Sequence, residues 1–179
     1  PPTCCVSIVG PSTVSQQRQK SKPAGDRKLA ARELKALAAR VARAHDPARF
    51  LGLGDELESL TDLVEAGLPT VSADRLAAHL QLPAGEFASH YASIPRQTLA
   101  RRRTEGRLNV FESDRVARFA RLLDLATDLM EGDTGAALRW LKTPMRVLGG
   151  HPPLDHARTE TGAVEVEQLI GRIEHGVVT

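Results

Sequence analysis

The sequence predicts an all-α protein, and three features support that prediction. Hydrophobic residues make up 41% of the 179 residues but aromatic residues only 3%, so Leu, Ala and Val must fill the core. Segments rich in Ala and Leu, with few β-branched runs, favour helix over strand. Apolar residues recur at helical spacing between Gly, Pro, Asn and Asp residues that mark helix ends. The pattern indicates no strand and no internal repeat.

Charge is divided into blocks along the chain, although the formal net charge is only +2. Residues 1–50 carry 10 basic and 3 acidic side chains, and residues 51–93 carry 1 basic and 7 acidic. Residues 94–107 carry 5 basic and 1 acidic, and the remainder carries 8 and 11. Such blocks indicate separate surfaces that face separate partners.

The N-terminal part has two predicted segments. Residues 1–26 are polar and without periodicity, which predicts a disordered tail. Residues 27–50 form a basic amphipathic pattern that Asp46-Pro47 ends, which predicts a helix or arm. This arm has two interpretations: a contact to DNA, or a solvated helix that lies on the core.

Four short helices are predicted between residues 51 and 107, each between a start and a stop signal. The first opens at Asp55 and closes at Gly67, and the second runs over Ala73–Leu80 with Ser72 as its cap. The third runs over Ala84–Tyr91 after Pro83. The fourth begins at Pro95 and reaches Arg103 before Gly106.

A long helix follows, and we expect it to be central. Asn109 and Glu112 stand three residues apart before it, as in a capping box. It carries two neighbouring apolar stripes, which requires burial against two layers. The stripes are Val116, Phe119, Ala120, Leu123, Ala126 and Met130, and Leu122, Leu125 and Leu129. After Gly132 we expect Asp133 to cap Thr134–Leu141, a short turn to end at Gly149-Gly150, and a last helix over Thr161–His175.

Residues 84–107 have the pattern of a helix-turn-helix. Leu99 should face inward with Ile94 beneath the turn, which leaves several polar side chains outward. Arg and Gln there can read guanine and adenine edges, and Thr and Arg can hold phosphates. The predicted DNA contacts are Arg96, Gln97, Thr98, Arg101 and Arg102. The alternative is that the arginine run is only a solvated charge run; a DNA contact this local would need a dimer.

The sequence favours binding over catalysis and predicts no cofactor. None of the six histidines stands at a recognised metal-ligand spacing, and no phosphate loop or nucleophile motif is present. The only cysteines are the adjacent Cys4 and Cys5, which suggests a reducing, cytoplasmic setting. No apolar run approaches the ~20 residues of a membrane span, and the opening stretch is too short for a signal peptide.

Trp140 is the only tryptophan and lies in the segment ALRWLKTPMRVLGG, residues 137–150. It has two interpretations: the main large side chain of an aromatic-poor core, or an anchor in an interface.

Four stretches together resemble the Xre/MbcA/ParS family of antitoxins. They are LVEAGLP (63–69), IPRQTLARRRTEGRL (94–108), ESDRVARFARLLDLATDLMEG (112–132) and ALRWLKTPMRVLGGHPPLDHARTETGAVEVEQLIGRIEHGV (137–177). The resemblance covers residues 55–178 in order. It implies an Xre-like helix-turn-helix domain over 51–121, for DNA binding or dimerisation, and a compact helical toxin-binding domain over 122–179.

The resemblance also implies a function and partners. The family's toxins have RES or ParT domains that act on NAD, with an ADP-ribosyltransferase-like fold. A member of the family is expected to occlude the toxin's active site with its C-terminal region, to form homodimers and toxin complexes, and to repress its own operon. Carried onto this chain, the toxin contacts are Trp140, Pro144, Leu148, Gly149, Pro153, Leu154, Arg172, Glu174, His175, Gly176 and Val177.

The helix-turn-helix departs from a strong pattern at Gly85 and Ser89, where better helix formers are expected. The resemblance therefore implies a domain that serves dimerisation as much as DNA binding. The runner-up interpretation is a transcriptional repressor that acts alone, without a toxin partner.

Overall fold

The computed structural model of the chain describes residues 46–53 and 59–176. The predicted tail, most of the predicted arm and the helix start at Asp55 lie outside these residues. The helices are α1 (Ala48–Leu51), α2 (Leu60–Ala66), α3 (Thr70–His79), α4 (Ala84–Glu86) with a π-helical turn (Phe87–Tyr91) directly after it, α5 (Arg96–Glu105), α6 (Val110–Leu129), α7 (Thr134–Lys142), α8 (Pro153–His156) and α9 (Glu160–Glu174), and a 3₁₀ turn (Arg146–Leu148) precedes α8. Two isolated bridges and no strand accompany them within the described ranges, so the all-α prediction is confirmed.

Helix α6 lies at the centre, as predicted, and packs against α1, α2, α3, α7 and α9. Its first turn is held by the predicted capping box: Asn109 Oδ1 accepts from the Glu112 N–H at 2.8 Å, and Glu112 Oε2 accepts from the Asn109 N–H at 2.8 Å. The first stripe is buried to 0% exposure at Val116, Phe119, Ala120, Leu123 and Ala126. Two-sided burial explains why this helix carries two apolar stripes.

Two turns of the helix-turn-helix region share one construction. Gln81 and Ser93 both have positive φ, at 52° and 53°. Each is followed by an apolar residue and a proline, 82–83 and 94–95, and then by a new helix. The turn residues are Gln and Ser rather than Gly, so their positive φ could not be predicted from the sequence.

The predicted cap at Ser72 is wrong, because α3 begins at Thr70, three residues before the predicted start at Ala73. The Leu108 N–H donates to the Leu68 oxygen at 2.9 Å, and the Thr70 N–H donates to the Gly106 oxygen at 3.1 Å. This pairing fixes the chain just before α3, so the helix starts after Pro69 and places Ser72 inside it, 1% exposed. Helix α1 was also not predicted, because its four residues are too few to show a period.

The C-terminal part is a series of capped segments around α6. Asp133 accepts from the Ala136 N–H at 3.0 Å and caps α7 as predicted. Thr159 accepts from the Gly162 N–H at 3.1 Å and caps α9, which begins one residue before the predicted start. None of the helices formed by the described residues is both long and apolar enough to cross a membrane.

Candidate functional site

The outer face of α5 carries the first group of predicted contacts. Leu99 and Ile94 are 5% and 1% exposed, so the predicted inward packing of this helix is confirmed. Arg96 and Gln97 are exposed and Thr98 is half-buried. Within residues 46–53 and 59–176, Arg96 forms no ion pair, so its charge is available to a partner.

Arg102 is turned inward, although the sequence predicts it on the outer face. Its Nε donates to Glu112 at 2.7 Å and its Nη1 to Glu105 at 2.6 Å. The hydrogen bond to Glu112, and then that to Glu105, raises the pKa of the Arg102 guanidinium. Its carbonyl also accepts from the Thr70 hydroxyl at 3.0 Å. These contacts join α5 to α3 and to the cap of α6, because the Glu112 carboxylate is buried and attracts the nearest cation.

Arg101 and Arg103, on either side of Arg102, are more exposed to solvent than Arg102 is. Arg101 lies 3.5 Å from Glu105, and Arg103 lies 2.9 Å from Asp74. Both pairs are solvent-exposed and therefore weak, so either guanidinium can exchange its carboxylate for a phosphate. Arg101 thus remains with Arg96 and Gln97 on the outer face of α5.

The predicted toxin contacts of residues 140–154 differ in exposure. Pro144 and Gly149 are exposed, whereas Leu148 and Leu154 are 5% and 2% exposed and Pro153 is also buried. The buried three hold the surface from beneath rather than form it. Trp140 is half-buried and packs against the core, so one part of its ring belongs to the core and another part meets solvent.

The second set of predicted toxin contacts lies at the far end of α9. Arg172, Glu174, His175 and Gly176 are all exposed. Val177 lies outside the described residues. At a rise of 1.5 Å per residue, Glu174 at the tip lies about 18 Å along α9 from Gly162. Gly162 lines the same cleft as residues of the 151–156 segment. The structure therefore places the predicted contacts in two groups, the 140–154 surface and the C-terminal tip.

A polar cleft of about 460 Å³ lies between the π-helical turn and the start of α9. It is lined by His90, His151, Asp155, His156, Arg158, Thr159, Thr161, Gly162 and Glu165. The Tyr91 hydroxyl donates to Asp155 at 2.9 Å, and the Arg158 Nε donates to the His90 oxygen at 3.1 Å. Burial, and then the hydrogen bond to Asp155, raises the pKa of Tyr91 to about 12.

The sequence did not indicate this cleft, because its walls come from segments more than 60 residues apart. Its two hydrogen bonds tie the helix-turn-helix region to the segment that leads into α9. Within the part of the chain that the structure describes, no cluster of three His, Cys, Asp or Glu residues could hold a metal ion.

Exposed apolar side chains at two places in the chain were also missed, since one or two exposed residues leave no periodic signal. Phe111 is 76% exposed beside Val110, which is 44% exposed, at the start of α6. Val147 is 58% exposed between the two exposed predicted contacts Pro144 and Gly149. Adjacent exposed apolar side chains such as Val110 and Phe111 form a patch of the kind that contacts partners, whereas a single exposed valine is common on protein surfaces.

Comparison with known proteins assigns both halves of the chain. Residues 59–121 match the antitoxin Xre-like helix-turn-helix domain, and residues 125–176 match the antitoxin Xre/MbcA/ParS C-terminal toxin-binding domain. Together these two matches describe the architecture of a helix-turn-helix antitoxin.

Two relatives, each matched over about two thirds of this chain, agree with the domain matches. The chain is 43% identical to an Antitoxin Xre of Yersinia enterocolitica over 119 residues, which are 66% of this chain and 80% of that protein. It is 38% identical to an Antitoxin Xre of Photorhabdus laumondii over 121 residues, which are 67% of this chain and 81% of that protein. The chain belongs to the Xre/MbcA/ParS antitoxin family.

Proposed function

We propose that the chain neutralises a RES/ParT-type toxin, an NAD-acting protein with an ADP-ribosyltransferase-like fold, by occluding its active site. One observation carries this proposal: the segment similar to toxin-binding domains ends in an exposed tip with both charge signs, Arg172 and Glu174, next to His175 and Gly176. A charged tip of this kind suits a pocket built for the phosphates and hydroxyls of NAD, because ion pairs can replace those contacts. The function is binding, not catalysis, and it is exerted in the cytoplasm.

The proposal includes repression of the chain's own operon by a homodimer. The outer face of α5, with Arg96, Gln97 and Arg101, supports a contact with DNA bases and phosphates. One such face is small, so useful affinity needs a second copy. Phe111, 76% exposed in the helix-turn-helix half, supports an apolar contact between two copies.

The division of labour follows the proposed domains, with DNA binding or dimerisation over residues 51–121 and toxin binding over residues 122–179. The boundary falls within α6 (Val110–Leu129), which packs against helices on both sides of it. The two domains therefore share their central helix, and the complex with toxin is a hetero-oligomer that carries both activities.

The test is removal of residues 172–179 from the full chain, followed by assay of the toxin encoded by the adjacent gene. We expect the intact chain to stop NAD consumption by that toxin and the shortened chain to leave most of it. The matched control is the double variant Arg96→Ala with Arg101→Ala, which should inhibit as the intact chain does. Equal protection by the shortened and intact chains would contradict occlusion by the tip.

A further inference from the structure

The loop from Thr143 to His151 is a closed and pre-formed structure, which we call the Val147 loop. The Met145 N–H donates to the His151 oxygen at 3.2 Å, and the Gly150 N–H donates to the Met145 oxygen at 2.9 Å. Gly149 and Gly150 have φ values of 67° and 84°, which a side chain would strain. The loop therefore needs little ordering when a partner binds to it.

Adjacent residues at the tip of this loop have opposite environments. Leu148 is 5% exposed and fixes the loop to the core, whereas Val147 is 58% exposed. Among the described residues of the 125–176 segment, the large hydrophobic side chains that are exposed are Val147 and Val164, and Val164 is less so at 41%. Val147 is thus the most exposed large apolar side chain among the described residues of this segment.

The sequence segment that contains Val147 is basic. Residues 134–154 contain Arg139, Lys142 and Arg146 and no acidic residue. All three are exposed, and none forms an ion pair with a residue that the structure describes. A partner that fits this surface has an apolar pocket with carboxylates around it, since those groups complement both the valine and its cationic neighbours.

We propose that Val147 is the apolar anchor by which the chain docks on its toxin, with Arg146 facing carboxylates at the rim of the pocket. This inference rests on the proposed antitoxin function and adds a docking surface to the tip that occludes the active site. Toxin is favoured over DNA as the occupant because an apolar side chain at the loop tip contributes little to a phosphate contact. The loop also lies within residues 125–176, which match toxin-binding domains.

The experiment measures the affinity of the full-length chain for the purified toxin of the adjacent gene, by calorimetry. Val147→Asp places a charge in the apolar pocket, and we expect binding roughly 30-fold weaker or more. Val147→Ala removes two methyl groups and should weaken binding by roughly tenfold. The control is Val71→Asp, at a valine that is 49% exposed in the helix-turn-helix half, which should bind as the parent chain does.

Each result decides the inference. If the Val147→Asp variant loses its fold, the Val147→Ala variant carries the test. Affinity within about twofold of the parent for either folded Val147 variant overturns the docking role. So does a loss of operator binding with toxin affinity unchanged, which would assign the loop to DNA. Failure of the parent chain itself to bind the toxin would instead reject the proposed function.

Discussion

Arg101 and Arg102 are neighbours on α5 whose guanidinium groups meet different surroundings. Arg102 bonds to the buried Glu112 at 2.7 Å, whereas the pair of Arg101 with Glu105, at 3.5 Å, is open to solvent. Since Glu112 also closes the capping box of α6, Arg102 supports the central helix indirectly. Arg102 thus has a structural role, although its neighbour Arg101 is the same type of residue.

Alanine at each of these two positions should separate stability from DNA affinity. Arg102→Ala should lower the Tm, because it leaves the Glu112 carboxylate buried without its cation. Arg101→Ala should leave the Tm unchanged and reduce the slope of operator affinity against salt by about one. Thermal unfolding and fluorescence anisotropy with operator DNA at several salt concentrations measure both. The opposite assignment, with Arg101 lowering the Tm and Arg102 not, would contradict this division.

The start of α9 is held close to α8 by a glycine. A Cβ added at Gly162 would lie 1.9 Å from the backbone oxygen of His156, so no side chain fits without separation of the two helices. Gly171 lies on the same helix and would meet nothing within 4 Å. The two glycines form a matched pair, one required by packing and one not.

Alanine substitutions at these glycines should change stability in opposite directions. Gly162→Ala should reduce the free energy of unfolding by about 1–3 kcal/mol, because the clash is with backbone. Gly171→Ala should increase it by roughly 0.5–1 kcal/mol, because alanine favours the helix. Urea unfolding of the two variants measures both changes. A tolerated Gly162→Ala would mean that α8 and α9 are not as tightly joined as the geometry requires.

The elements that the sequence predicted correctly are those with local causes. The capping box of Asn109 and Glu112 and the cap at Asp133 depend on side chains three residues from their partners, so their spacing is visible in the sequence. The start of α3 depends on pairing with residues 106–108, and this long-range contact overrode the cap signal of Ser72. Arg102 was misplaced for a similar reason, since its partner Glu112 lies beyond the end of α5.

The candidate site was predicted only as a set of residues along the chain. The sequence and the family resemblance indicated the segments around Trp140 and Arg172, but exposure divides the first of them. Leu148 and Leu154 are inside, while Val147, which no pattern marked, is outside. Residues 146–148 form a short 3₁₀ turn with no repeating apolar period, so burial there could not be derived from spacing.

The proposed contacts to DNA and toxin occupy different regions of the chain that share the central helix α6. The hydrogen bonds from Tyr91 to Asp155 and from Arg158 to the His90 oxygen add a second connection. The proposed toxin contacts are themselves divided between the Val147 loop, which precedes α8, and the C-terminal tip at the far end of α9. In the proposed function, the loop docks on the toxin and the tip occludes its active site.

The central claim, occlusion of the toxin's active site by the tip, is tested most directly by NAD binding to a catalytically inactive toxin. With the intact chain bound, calorimetry should detect no NAD binding. With the chain that lacks residues 172–179, toxin should still be held by the Val147 loop, and NAD should bind to that complex. If the toxin saturated with intact chain binds NAD as tightly as free toxin does, the chain does not act by occlusion.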